Sequence, residues 1–291
     1  MPSEPFPAAL YVVSTPIGNL GDVSRRAEEV LRAADVVLAE DTRRTSILLR
    51  HLGISTRMVS AHEHNEAGRA PLVVQMLREG QRVALVSDAG TPLLSDPGAR
   101  IVREVVDAGF DVVPIPGASA LLAALVASGI AADRFTFQGF PPRKGPERRA
   151  VLEEVAEQPY ASVLYESPNR LGKLLADLAE AAGPERRVCV GRELTKMHEE
   201  LFRGTLAQAL ERYAAGEVLG EIVVVVEGRS GDAAVEAETD ELAGRALATA
   251  LIGQGLSPSA AAKELRRRLN LPRNEAYRLA QDAAGGSVED P

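Results

Sequence analysis

The chain reads as α/β, folded into two lobes with a small helical unit behind them. Strand-length apolar runs alternate with helical patterns from the start, which implies a mostly parallel sheet covered on both faces. After "ASALLAALVASG" the rhythm shifts to more hairpin-like connections. An acidic, small-residue stretch, "RSGDAAVEAETDE", then separates the second lobe from three short helical patterns. The boundaries predicted are 9–117 and 118–228 for the two α/β lobes, 229–239 for a linker and 240–284 for the helical unit.

In the first lobe the strands are "LYVVS", "DVVLAE", "RMVSAH", "RVALVSD" and "DVVPIPG". Between them lie the helical patterns "SRRAEEVLRAA", "TSILLRHLG", "APLVVQMLREG" and "GARIVREVVDAG". Asp22 or Ser24 is placed to cap the first helix, and Gly53, Gly80 and Gly109 fall where helices should stop. The second lobe opens with the strand "RFTFQGF" and the Pro-rich break "PPRKGP". It continues through "ASVLYES", the helix "RLGKLLADLAEAA", "RRVCVGREL", a short "EELFRG", the helix "TLAQALERYAAG" and "EIVVVVEG". In the terminal unit Ser257 and Asn270 are placed to start helices, and tight turns between short helices suggest a helix-turn-helix.

With 291 residues there is enough chain for two sizeable cores. No apolar run approaches the ~20 residues of a membrane span, and the N-terminus lacks a basic leader, so a cytoplasmic protein with no membrane partner is expected. The one cysteine, Cys189, sits in an apolar run and reads as a core thiol; it excludes an internal disulfide and a thiolate metal cluster. His62 and His64 are two apart but have no further ligands in sequence, so no metal is expected. A net charge of −8 argues against indiscriminate nucleic-acid binding. Two stretches are nonetheless locally basic: "PPRKGPERR", and residues 258–282, where six basic residues face three acidic ones.

Four loops follow hydrophobic strands and mix Gly or Pro with small polar residues: "STPIGNLGD", "SDAGTPLLSDPG", "IPGASA" and "YESPNR". A fifth, "GRELTKMHEE", is charged. Strand ends are where parallel α/β folds bind ligands, yet none of these loops is G-x-G-x-x-G or a P-loop. Such a set suits a ligand held by backbone and small side chains, without a phosphate.

With "ADVVLAEDTRRT", "AHEHNE" and "QGFPPRK", these stretches resemble, in order, the tetrapyrrole methylase superfamily. Within it the chain is similar to the ribosomal RNA small subunit methyltransferase I family, and the resemblance covers residues 9–228. It implies a two-lobed tetrapyrrole-methylase-like fold with S-adenosylmethionine (SAM) in the cleft between the lobes, and 2′-O-methylation of a cytidine in 16S rRNA. The implied SAM contacts are Pro16, Ala89, Gly90, Thr91, Leu94, Ser119, Ala120, Glu166 and Leu194. Thr91 replaces the superfamily's Asp, and Glu166 stands where tetrapyrrole-methylating relatives commonly carry an apolar residue. A ribose hydroxyl must lose its proton, so a base is expected among Glu193, Lys196, Glu166 and Asp88. Lys196 qualifies only if its pKa is lowered by several units.

RNA contacts are expected from Arg43, Arg143, Lys144, Arg148, Arg149, Arg170, Arg273 and Arg278, with free 16S rRNA or the assembled small subunit as partner. The superfamily habit implies a homodimer, with "RRTSILLRHLG" as one contact surface. Two other readings compete: a methylase of a corrin or sirohaem precursor, and a SAM-sensing helix-turn-helix regulator. The first predicts no basic appendage; the second needs a more basic recognition helix than "LPRNEAYRLAQD".

Overall fold

The computed structural model describes residues 6–214, 218–229, 244–269 and 273–285, apart from the side chains of residues 214 and 273–275. Most of the predicted linker and its flank, residues 230–243, and the start signal at Asn270 lie outside the described residues.

Five parallel strands form the first sheet in the order β3-β2-β4-β1-β5. They are β1 (Leu10–Val13), β2 (Val36–Ala39), β3 (Met58–Ser60), β4 (Val83–Val86) and β5 (Val112–Ile115). Successive side chains of a strand point to opposite faces, and the central strands are apolar at both parities because both faces are covered. Val37, Ala39, Ala84 and Val86 pack toward α1 (Arg25–Ala33) and α2 (Thr42–His51). Val36, Leu38, Val83 and Leu85 pack the other way, toward α3 (Glu66–Arg78) and α4 (Ala99–Asp107).

Local signals end the helices as read. Ser24 Oγ accepts from Ala27 N–H at 3.1 Å, whereas Asp22 lies in a short 3₁₀ turn. Gly53, Gly80 and Gly109 follow their helices with φ of 62°, 78° and 79°. The start of α4 was not readable locally: its N-cap is Gly98, and Glu66 Oε1, from α3, accepts instead from the N–H groups of Arg100 (2.6 Å) and Ile101 (3.1 Å).

The second sheet is mixed, in the order β6-β7-β10-β8-β9. Here β6 (Phe135–Gly139) runs parallel to β7 (Ala161–Glu166), while β10 (Ile222–Val226) is antiparallel to β7 and β8 (Arg187–Arg192). β9 (Glu200–Thr205) closes the far edge against β8. One face is covered by α6 (Pro146–Glu157), α7 (Pro168–Ala182) and α8 (Leu206–Ala214). The other carries α5 (Ala120–Ala127), whose Leu121, Ala124 and Leu125 pack with Val163, Cys189, Val223 and Val225. Cys189 is fully buried, and burial pushes its thiol pKa up. α6 begins at the last residue of the Pro-rich break "PPRKGP": Pro146 takes the first helical position and Glu147 the first turn.

Contacts divide the chain into two compact units, Met1–Gly228 and Arg229–Pro291. The second contains α9 (residues 244–253), α10 (Pro258–Leu269) and α11 (Arg273–Gly285) around an alanine-rich core with Leu251, Leu265 and Leu279. Ser257 Oγ accepts from Ala260 N–H at 3.3 Å, capping α10.

Candidate active site

Three Gly/Pro loops meet at the carboxyl ends of the adjacent strands β4, β1 and β5. Thr15 and Gly90 exchange backbone hydrogen bonds of 2.8 and 3.0 Å, which ties the first loop to the second. Thr91 Oγ1 lies 3.0 Å from Ser14 Oγ and donates to Ala118 O at 3.2 Å, which ties in the third. Thr91 therefore has a structural use for its hydroxyl. Glycine is favoured at Gly90, where φ is 83° and a Cβ would stand 3.3 Å from Ile17 Cγ2. The loop after Gly90 is itself unusual, because Leu93 and Ser95 adopt φ of 75° and 70° without being glycine.

These loops wall a cavity of about 410 Å³ that is completed by Phe140, Tyr165 to Pro168 and Gly220 to Val223 of the second lobe. Of the expected SAM contacts, Ala89, Gly90, Thr91, Leu94, Ser119, Ala120 and Glu166 line it together. Pro16 instead lines a neighbouring cavity of about 130 Å³, which shares Arg44 and Asp88 with the larger one. Leu194 lines neither and is buried against Gly191 in the second-lobe core.

Charge distinguishes the larger cavity. Glu40, Asp88, Asp96, Glu166 and Glu221 line it, with Arg44 as the one basic lining residue among those described. Burial, with Asp88 adding repulsion, raises the pKa of Glu40. Burial likewise lifts Asp96 to about 6; a hydrogen bond with Ser87 opposes the rise, and the charges of Glu40 and Asp88 reinforce it. Sequence reasoning passed over Glu40, Asp96, Phe140 and Tyr165. Glu40 had a usable signal, since it is the first residue beyond the carboxyl end of a central parallel strand. Asp96 had none, because its shift is made by burial, by Ser87 and Asp88 at the start of its own loop and by Glu40 beyond β2.

The four expected bases fare differently. Lys196 donates to Glu193 Oε1 at 2.8 Å and lies 3.2 Å from Glu221 Oε2. Desolvation pulls its pKa down, but the two carboxylates outweigh it and the net shift is upward, the wrong direction for a base. Lys196 also packs so closely on Gly18 that a Cβ there would collide with its stem. Glu193 is lowered by its bond to Lys196 and accepts Glu221 N–H at 2.9 Å, so it shapes its loop, at φ 50°. Asp88 accepts Asp41 N–H at 2.9 Å while lining the cavity. Glu166 is buried and held by Ser167 N–H (2.8 Å) and Arg170 (3.0 Å).

Among the expected RNA contacts, Arg143, Lys144 and Arg149 are exposed. Arg43 is exposed and paired with Asp41 at 2.6 Å. Arg148 needs correction: its side chain is 5% exposed and bonded to Asp177 and Pro142 O, leaving no face for a phosphate. Arg170 is largely spent as well, on Glu166 and Pro141 O. Arg278 is half-exposed near Asp282 (3.7 Å), and the Arg273 side chain lies outside the described residues. His62 and His64 have ring centroids 6.0 Å apart, and His62 Nε2 contacts Asn65.

A family model described as tetrapyrrole (corrin/porphyrin) methylases matches residues 9–210. A relative from Synechocystis sp. named ribosomal RNA small subunit methyltransferase I is 43% identical, over 93% of this chain and 96% of its own. Relatives of the same name from Mesorhizobium japonicum and Bacillus subtilis are 49% and 40% identical, over 83% and 92% of this chain and equal shares of their own. Among solved structures, a cobalt precorrin-4 methyltransferase of cobalamin biosynthesis aligns with a TM-score of 0.58 at 19% identity, covering 76% of this chain and 95% of its own. A uroporphyrin-III-C-methyltransferase from Thermus thermophilus aligns at 0.54 and 21%, covering 74% and 93%. At those identities the two structures share the fold. By the match over residues 9–210 and by relatives of one name along most of its length, the chain belongs to the tetrapyrrole methylases and, within them, to the ribosomal RNA small subunit methyltransferase I family.

Proposed function

We propose that the chain methylates the 2′-hydroxyl of a cytidine ribose in 16S rRNA, free or in the small ribosomal subunit, with SAM as donor, and that it does so in the cytoplasm as a homodimer. The observation that carries the reading is the cavity's charge. Five carboxylates and one arginine make a lining that repels a polyphosphate and favours a ligand carrying positive charge. Ala89, Gly90, Leu94, Ser119 and Ala120 add a small, partly apolar cradle, which suits a nucleoside held without phosphate contacts. The chain's residues thus fit SAM, which supplies an electrophilic methyl group on a sulfonium.

The chain's own part is to align the acceptor and remove its proton. Asp96 is the best-placed acceptor of that proton: it lines the cavity, and its pKa of about 6 lies closer to neutrality than an ordinary carboxyl's. Its neighbours Glu40 and Asp88 keep the site negative, which favours a cationic donor. Arg143, Lys144 and Arg149 supply exposed positive charge at the start of α6, outside the acidic lining, where an RNA backbone can be held. Ile47, exposed on α2, supports that helix as a contact between copies. The corrin and sirohaem reading rests on structures related by fold alone.

The test is transfer of label from SAM to small subunits that lack the modification. Label on a cytidine ribose is the expected result. No label on subunits or naked rRNA, with SAM still bound, would overturn the acceptor while leaving the donor in place.

A further inference from the structure

Phe140 follows β6 at the cavity wall, and 57% of its surface is exposed. A phenyl ring left in water forgoes the stabilisation that burial would give it. Yet its backbone is firmly held. Gly139 takes φ 60°, and a Cβ there would stand 3.1 Å from Ser95 Oγ, so the end of β6 sits against the loop that follows β4. Arg170 Nη2 donates to Pro141 O at 2.6 Å and Arg148 Nη1 donates to Pro142 O at 3.0 Å. Glu166 and Asp177 hold those two arginines in turn. The two carbonyls immediately after Phe140 are therefore clamped by guanidinium groups, that of Arg148 buried and that of Arg170 partly buried.

Beside the exposed ring lies Tyr165, its centroid 5.5 Å away at a tilt of 60°. The Tyr165 hydroxyl accepts Leu121 N–H at 3.2 Å, which fixes that ring as well. Beyond Phe140 come the exposed cations Arg143 and Lys144, which have no ion-pair partner among the described residues. An apolar plane is thus fixed at the rim of an acidic cavity, with positive charge just outside.

Resting on the reading of a ribose as acceptor, we propose that Phe140 is the shelf on which the base of the target cytidine stacks when that nucleotide is turned out of the RNA, with Arg148 and Arg170 as its positioning residues. A ribose hydroxyl presented to the cavity leaves its base at the rim, where an aromatic face accepts it. The flanking phosphates then meet Arg143 and Lys144 and stay clear of the carboxylates. This gives the two inward arginines a use that phosphate contact does not: they hold the shelf.

The experiment compares full-length wild type, Phe140→Leu and Phe140→Trp by steady-state methylation of unmodified small subunits and by calorimetric titration with SAM. The expected result for Phe140→Leu is a KM for subunits raised about tenfold, with SAM affinity and molecular mass unchanged, and recovery to within about twofold in Phe140→Trp. Arg170→Lys should raise the same KM, because it frees the Pro141 carbonyl. Unchanged kinetics in Phe140→Leu would overturn the shelf and leave the methylation reading standing. So would a matching loss of SAM affinity, which would place the donor's adenine on the ring, or a change in mass, which would place a second copy there. Failure of the wild type to label subunits would overturn the methylation reading, and the shelf with it.

Discussion

The two lobes hold their loops at the same cavity by different means. Among the three Gly/Pro loops at β1, β4 and β5 the links are main-chain and hydroxyl: Thr15 with Gly90, Ser14 with Thr91, Thr91 with Ala118. In the second lobe they are ionic: Glu166 with Arg170, Arg148 with Asp177, and Lys196 between Glu193 and Glu221. Backbone links leave side chains free to be small, as a close-fitting cofactor cradle needs. Ionic links carry their energy in pairs, so loss of one partner strands the other. The first lobe should therefore yield to changes of shape, and the second to changes of charge.

The largest effect is expected at Glu166. Its side chain is fully buried, and Arg170 and Arg148 lie 3.0 and 4.0 Å from one oxygen. Glu166→Gln keeps the shape but leaves the partly buried Arg170 guanidinium without its carboxylate, while Arg148 keeps Asp177, so it should cost about 1.5–3 kcal/mol of unfolding free energy in urea. A loss below about 1 kcal/mol would mean that the second lobe is not held by charge in the way described.

Next comes Asp96, where the first lobe does depend on charge. Asp96→Asn should lower the methylation rate about 100-fold or more, the span of a lost proton acceptor. The wild-type rate should climb with pH up to about 6 as Asp96 ionises, and the variant should lose that limb. Stability follows the opposite sign. The folded carboxyl holds its proton up to about 6, whereas its ordinary value is 3.8, so the folded state binds the extra proton between those values. Stability therefore falls as pH rises through that window, and Asp96→Asn should flatten the fall. Unfolding curves at pH 4 and pH 7 measure both slopes.

Gly90→Ala tests shape. A side chain at φ 83° costs about 1–2 kcal/mol by conformation alone, and Ile17 must also move. Calorimetry should show weaker SAM binding in this variant. If Gly90→Ala binds SAM normally, the cradle is looser than its hydrogen bonds suggest.

Much of this contrast was legible in the sequence. The five strands of the first sheet stand out because both parities of each central strand are apolar, and the loops between them because Gly and Pro punctuate strand ends. What stayed hidden is what distant residues do for one another. The cap of α4 is Glu66, more than thirty residues upstream, and no local pattern announces it. Asp96 looks like any loop Asp until Glu40 and Asp88 are brought to it. Lys196 looks like a candidate base until Glu193 and Glu221 close on it.

Arg148 and Arg149 give the smallest effect and a direct test of the comparison, because one residue separates a structural arginine from a surface one. The sequence treats them alike, in "PERRAV", but α6 begins at Pro146 and turns Arg148 inward against Asp177 and Arg149 outward to solvent. Arg149→Ala should leave unfolding free energy within about 0.5 kcal/mol of wild type, as for a surface substitution that removes no buried partner. Its effect should appear only in the salt dependence of RNA binding. If Arg149 neutralises one phosphate, the slope of log affinity against log salt should shrink by about 0.7–0.9. Arg148→Ala should do the reverse, costing stability first because Glu166 and Asp177 lose a partner. If both variants lose RNA affinity equally at unchanged stability, the division of this basic stretch into an inner clamp and an outer phosphate contact is wrong.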